Sequence, residues 1–151
     1  MADNRALYEK VILDHNKTPR NFGKMDYPDR EAEGYNALCG DQLHLYLKMD
    51  GDRIADVKFE GAGCAISKSS ASVMTGEIQG KTRDEVQALF EKFKGMITSD
   101  PGTPIDSGAL GKLAIFGGVR EFPVRVKCAT LAWHTALSAL KGDGAEPVST
   151  E

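Results

Sequence analysis

The segment from 42 to 61, QLHLYLKMDGDRIADVKFEG, constrains this chain more than any other. Leu43, Leu45 and Leu47 alternate with His44, Tyr46 and Lys48, which gives a strand one apolar and one polar face. Asp50-Gly51 with Asp52 makes a tight turn. Ile54, Val57 and Phe59 carry the return strand, with a slip in the alternation at Ala55-Asp56. A hairpin with one apolar face is not stable by itself in water. It needs helices over that face, and the flanking sequence provides them.

Residues 3–16 space Ala6, Leu7, Val11 and Ile12 as a helix, with Asp3 as its cap. The stretch 17–34 has two prolines and two glycines and reads as a long irregular loop. After the hairpin, AISKSSASVMTGEIQG fits a helix through Ile66, Val73, Met74 and Ile78, its serines and alanines permitting close packing. TRDEVQALFEKFKGMI is amphipathic through Val86, Leu89, Phe90 and Phe93, and Thr82 with Glu85 forms a capping box. A short helix over 109–122 is weakened by Gly111, Gly117 and Gly118; Pro123 then opens a last helix ending near Gly142. The pattern is α+β: a small antiparallel sheet of about three strands, packed on one face by about five helices. One domain spans 1–141, and 142–151 forms a disordered tail.

The net charge of -3 argues against a nucleic-acid partner. No stretch approaches the ~20 apolar residues of a membrane span, and the N-terminus lacks a secretory signal, so the expected location is cytoplasmic. Three cysteines, at 39, 64 and 128, do not suit a disulfide framework in a reducing compartment. They are buried core thiols, a nucleophile, or metal ligands.

Cys39 precedes the first hairpin strand and Cys64 follows the second, so antiparallel pairing brings them together. Cys128 falls in the first turn or so of the last helix. Cys64 and Cys128 are thus expected at helix N-termini, where free N–H groups favour a thiolate. Gly40, Gly61 and Gly63 let the backbone fold closely around the cluster. Three thiolates at one place need a cation, and zinc or iron suits them. Asp41, in the same loop as Cys39, can supply a fourth ligand. Taken alone, Asp41 also reads as a solvated turn residue, and Cys64 and Cys128 as core filling. What favours a metal is that all three cysteines sit at junctions between loops and elements. His15, His44 and His134 read as surface or core residues, and no spacing supports a Cys–His hydrolase.

These residues carry a resemblance. CGDQL, GAGCAISKSSASVMT and VKCATLAW are similar to the three cysteine motifs of the IscU-like iron–sulfur cluster assembly scaffold family. The opening LYEKVILDHNKTPRNFG is similar to that family's N-terminal segment. The chain resembles the SufU-type branch in two details. Cys64 and Cys128 lie 64 apart, leaving room for an extra segment near residues 95–117. Lys127 stands where IscU-type members carry a histidine, and FPVRVK replaces their Leu-Pro-Pro-Val-Lys chaperone element.

The resemblance implies zinc held by Cys39, Asp41, Cys64 and Cys128, with iron or a 2Fe–2S cluster as the alternative occupant. It implies that Cys39 accepts persulfide sulfur from a SufS-type cysteine desulfurase, itself dependent on pyridoxal phosphate. A histidine of that desulfurase then takes the vacated position on zinc. Arg125, three residues before Cys128, contacts the persulfide or the partner, or is a solvated arginine. Further partners are downstream iron–sulfur assembly proteins. Three functions follow as expectations: a zinc-dependent sulfurtransferase, a scaffold assembling a 2Fe–2S cluster on the same residues, or a zinc-stabilised adaptor or desulfurase activator without chemistry.

Overall fold

A computed structural model describes residues 5–37, 39–141 and 148–149. Strands β2 (Asp41–Asp50) and β3 (Arg53–Ala62) form the hairpin, closed by Gly51 at a φ of 63° and Asp52. The slip has a physical form: Lys48 faces Asp56 but Met49 faces Ile54, so Ala55 is a bulge. The bulge restores the alternation, and Leu43, Leu45, Leu47, Ile54, Val57 and Phe59 are all buried.

Strand β1 (Arg30–Asn36) lies antiparallel along the free edge of β2, with Arg30 opposite Leu47 and Asn36 opposite Asp41. This corrects the reading of 17–34 as loop throughout. The inward positions of β1 are Ala32, Gly34 and Asn36, so no apolar alternation betrays it. Gly34 is required there because a β-carbon would collide with the Thr135 hydroxyl oxygen. Strand β4 (Val148–Ser149) pairs parallel with β1 at Gly34 and Tyr35. The sheet is therefore mixed and four-stranded, in the order β3-β2-β1-β4, rather than three antiparallel strands. The expected disorder of 142–151 is corrected at Val148 and Ser149, because the edge of β1 offers them backbone partners; 142–147 and 150–151 lie outside the described residues.

The described residues form five α-helices, α1 (Arg5–Lys17), α2 (Ala65–Ile78), α3 (Arg83–Ile97), α4 (Ser107–Leu110) and α5 (Pro123–Lys141); α2 and α5 pack on the sheet, α1 packs on α2, and α3 packs on α5 and α4. The helix expected over 109–122 is instead α4 followed by a 3₁₀ stretch, Gly111–Glu121. Gly111, at a φ of 56°, breaks the α-helix between them. The Thr82 capping box on α3 forms as expected, with both reciprocal hydrogen bonds. At the centre, Trp133 of α5 stacks on Phe90 and Phe93 of α3, with ring centroids 5.9 and 5.3 Å apart.

The serines of α2 serve as ties. Ser70 Oγ donates to Ala129 O of α5 at 2.6 Å, and Asn21 Nδ2 donates to Thr75 Oγ1 at 3.0 Å. Ser72 Oγ accepts the Arg20 N–H at 2.8 Å and meets His15 Nδ1 of α1 at 2.7 Å. Of the expected stripe of α1, Leu7 points to solvent while Ile12 packs on the core, joined by the buried His15. Asp3, the expected cap, lies outside the described residues.

Both His15 and His134 have pKa values lowered below 6.5, in each case chiefly by burial. Arg20 and Lys112 add to the shift at His15 against Asp14, and Lys94 adds to it at His134. The unfolded chain thus binds more protons below about pH 6.5, and folding stability falls as the pH drops through that value. The melting temperature is expected to decline from pH about 7.5 to about 5.5. His15→Gln, which can keep a bond to Ser72, should flatten part of that slope. An equal slope in the variant refutes the assignment to His15.

Candidate metal centre

The thiols converge where three elements end. Cys39 lies in the turn from β1 to β2, followed by Gly40 at a φ of 71°. Asp41 opens β2 and is buried. Cys64 is the N-cap of α2, its Sγ accepting the Ser67 N–H at 3.4 Å. Asp41 bridges loop and cap: its Oδ1 accepts the Cys64 N–H at 2.8 Å, and its Oδ2 lies 3.8 Å from Cys64 Sγ. The approach is possible because residue 63 is glycine. A β-carbon there would run into Asp41 Oδ1 and sit 2.9 Å from Asp41 Cα.

Cys128 differs from its expected setting. Helix α5 begins five residues earlier, at Pro123, so Cys128 is in the second turn, fully buried, and its sulfur lies 3.7 Å from the Val124 carbonyl oxygen rather than against free amides. Burial pushes its thiol pKa up, and bonds to Cys39 and Asp41 add to the shift. Its Sγ donates to Cys39 Sγ at 2.9 Å. Arg125, one turn earlier, reaches the same sulfur. Its guanidinium is held more firmly protonated by the bond to Cys128, and then by Cys64. The side chain itself is exposed. The structure therefore brings Cys39, Asp41, Cys64, Cys128 and Arg125 together.

The histidines stay apart from the thiols, as expected. His15 is tied to Ser72, and His134 packs edge-on against Phe90 at 5.0 Å. His44 stacks on Tyr46 at 4.4 Å on the outer face of the sheet, beside Glu31 and Glu33.

Among the described residues, one group can share an ion: ligand atoms of Cys39, Asp41 and Cys128 all lie within 4.8 Å of one another. Tetrahedral zinc, with Zn–S bonds of about 2.3 Å, sets sulfur–sulfur edges of roughly 3.8 Å, so the Cys39 and Cys128 sulfurs, 2.9 Å apart, would have to open by roughly 0.9 Å to receive the ion. Cys64 stands beside the trio, its sulfur spent on the helix cap but near Asp41. The donors are soft sulfurs plus one carboxylate, the chemistry of zinc or iron rather than magnesium or calcium.

An open cleft of about 780 Å³ leads to this cluster, lined by Cys39, Gly63, Cys64, Phe122, Val124 and Arg125. Phe122 and Val124 are exposed apolar residues on its rim. Sequence reasoning missed them. Their only signal was their place immediately before the third cysteine motif.

A thiol–carboxylate cluster with donor atoms able to share a metal ion lies at the foot of an open cleft. The chain belongs to the NifU-like N-terminal domain family, whose model matches residues 7–129. It is 42% identical over 132 residues to the zinc-dependent sulfurtransferase SufU of Bacillus subtilis strain 168, covering 87% of this chain and 88% of that protein. It is 38% identical over 137 residues to the iron–sulfur cluster assembly scaffold protein IscU of Thermotoga maritima, covering 91% and 94% respectively. Among solved structures, it is similar to FiSufU from Fervidobacterium islandicum AW-1, a candidate iron–sulfur cluster assembly scaffold protein for the SUF system. That likeness has a TM-score of 0.80 and 39% identity over 91% of this chain and 99% of the other. The chain is thus an iron–sulfur cluster assembly protein of the SufU and IscU kind. No helix among the described residues is long and apolar enough to cross a membrane.

Proposed function

We propose that the protein is a zinc-dependent sulfurtransferase that accepts sulfur on Cys39 from a SufS-type cysteine desulfurase. The observation that carries this reading is the position of Cys39. It is the one thiol that both lines the cleft and shares the trio of possible ligands with Asp41 and Cys128. A bound zinc ion keeps such cysteines as thiolates at neutral pH. Cys64 completes the set of ligands when its sulfur turns from the helix cap.

The residues of the chain do the rest. Cys39 attacks the outer sulfur of the donor persulfide, and the donor cysteine leaves as thiolate. Arg125 lines the cleft beside the thiols, where its charge can meet an anionic persulfide or an acidic group of the partner. Phe122 and Val124 offer apolar contact to the partner's surface. Free thiols in contact suit a reducing, cytoplasmic compartment.

The test is metal analysis and mass spectrometry. Protein purified without air is expected to hold about one zinc per chain. After incubation with desulfurase and cysteine, the peptide containing Cys39 should gain one sulfur. Stoichiometric iron with visible absorption, in place of zinc, would favour a scaffold for a 2Fe–2S cluster; the Thermotoga relative is named an iron–sulfur cluster assembly scaffold protein. Stimulated cysteine turnover with no sulfur on any cysteine would mark an activator without transfer chemistry.

A further inference from the structure

We propose that Cys128 is a resolving thiol, which releases the sulfur carried by Cys39 as hydrosulfide and leaves a Cys39–Cys128 disulfide. This inference rests on the reading of Cys39 as the sulfur acceptor and adds the fate of that sulfur. Three observations carry it. The Cys128 and Cys39 sulfurs lie 2.9 Å apart, inside the distance of a near-attack arrangement. Cys39 lines the open cleft, whereas Cys128 does not and is fully buried. Sulfur arriving from the cleft is therefore added on the side of Cys39 away from Cys128, which is the arrangement an in-line displacement at sulfur requires. Cys64 is less suited, because its Sγ accepts the Ser67 N–H as a helix cap.

The step balances within the chain. Cys128 Sγ attacks Cys39 Sγ, a sulfur–sulfur bond forms between them, and the bond from Cys39 to its sulfane sulfur breaks. The electron pair leaves with hydrosulfide. In the zinc-containing protein Cys128 reacts as a thiolate, so the departing sulfur keeps the persulfide proton or takes one from water. Counted from two thiols and one sulfane sulfur, two electrons reduce the sulfur and oxidise the cysteine pair. A further cycle draws two electrons from a dithiol reductant. Because Cys39 and Cys128 also belong to the metal trio, the disulfide removes two of its ligands. Sulfide release and zinc release therefore coincide.

The experiment loads the zinc-containing protein from a cysteine desulfurase and cysteine, removes the desulfurase, and adds no reductant. One hydrosulfide should appear per sulfur accepted, together with the linked peptides of Cys39 and Cys128 in a non-reducing digest and zinc captured by a chromogenic chelator. Cys128→Ser, once loaded, should retain its persulfide, with hydrosulfide release slowed by about tenfold or more. Should that variant fail to fold, the wild-type peptide map still decides. Persulfide that stays on Cys39 until reductant is added overturns the resolving role alone. Sulfur that never reaches Cys39 overturns both this role and the reading it rests on.

Discussion

Cys39→Ser is expected to yield a folded protein that accepts no sulfur from a cysteine desulfurase. Serine nearly preserves volume, and Cys39 lies in a turn, where no helix cap depends on its side chain. The loss is chemical: a hydroxyl is a poor nucleophile at neutral pH and a poor ligand for zinc. Sulfur uptake should drop by about a thousandfold or more. The far-ultraviolet spectrum should match the wild type, and the melting temperature should fall only as far as weaker metal binding dictates. The measurement is desulfurase turnover alongside the mass of the recovered chain. If the variant still gains one sulfur, on Cys64 or Cys128, the assignment of Cys39 as acceptor is wrong.

Gly63→Ala is expected to damage the site without touching a ligand. The backbone there has a φ of 153°, and an added β-carbon meets both the Asp41 side chain and its Cα. Asp41 must then move, losing its bond from the Cys64 amide and its place in the trio. A cost of about 2–4 kcal/mol is expected in chemical denaturation. Zinc affinity, read by competition with a chromogenic chelator, should weaken roughly 10–100-fold. Gly118→Ala is the control, since nothing lies within 4 Å of a β-carbon there. It should change stability by less than about 1 kcal/mol. Wild-type zinc affinity in Gly63→Ala would falsify the view that Asp41 needs this close approach.

The parts of the fold that follow local rules were legible in the sequence. The hairpin declared itself through three alternating leucines and an Asp-Gly turn, α3 through its capping box, and α5 through Pro123. Strand β1 was not legible, because its buried positions are an alanine, a glycine and an asparagine that acquire meaning only against β2 and α5. The site divided in the same way. Hairpin pairing alone implied that Cys39 and Cys64 meet. How deep Cys128 lies in α5, and that its sulfur faces Cys39 rather than free amides, depends on how the helix packs. Arg125 could be named from the third motif, but only the packed helix shows it lining the same cleft as Cys39 and Cys64.

The separation of the three thiols along the chain sets an order of assembly. Hairpin closure unites Cys39, Asp41 and Cys64 within a short stretch, and a nascent chain can make that contact early. Cys128 arrives only with the last helix, five residues before Trp133, which must seat on Phe90 and Phe93 of α3. A half-synthesised chain therefore offers a half-site of two thiols and a carboxylate, too weak to retain a metal ion against cellular thiols. If the chain takes zinc as proposed, retention of the ion would begin when α5 docks, and capture of metal would be a late checkpoint on folding that a chain stalled before its final helix does not pass.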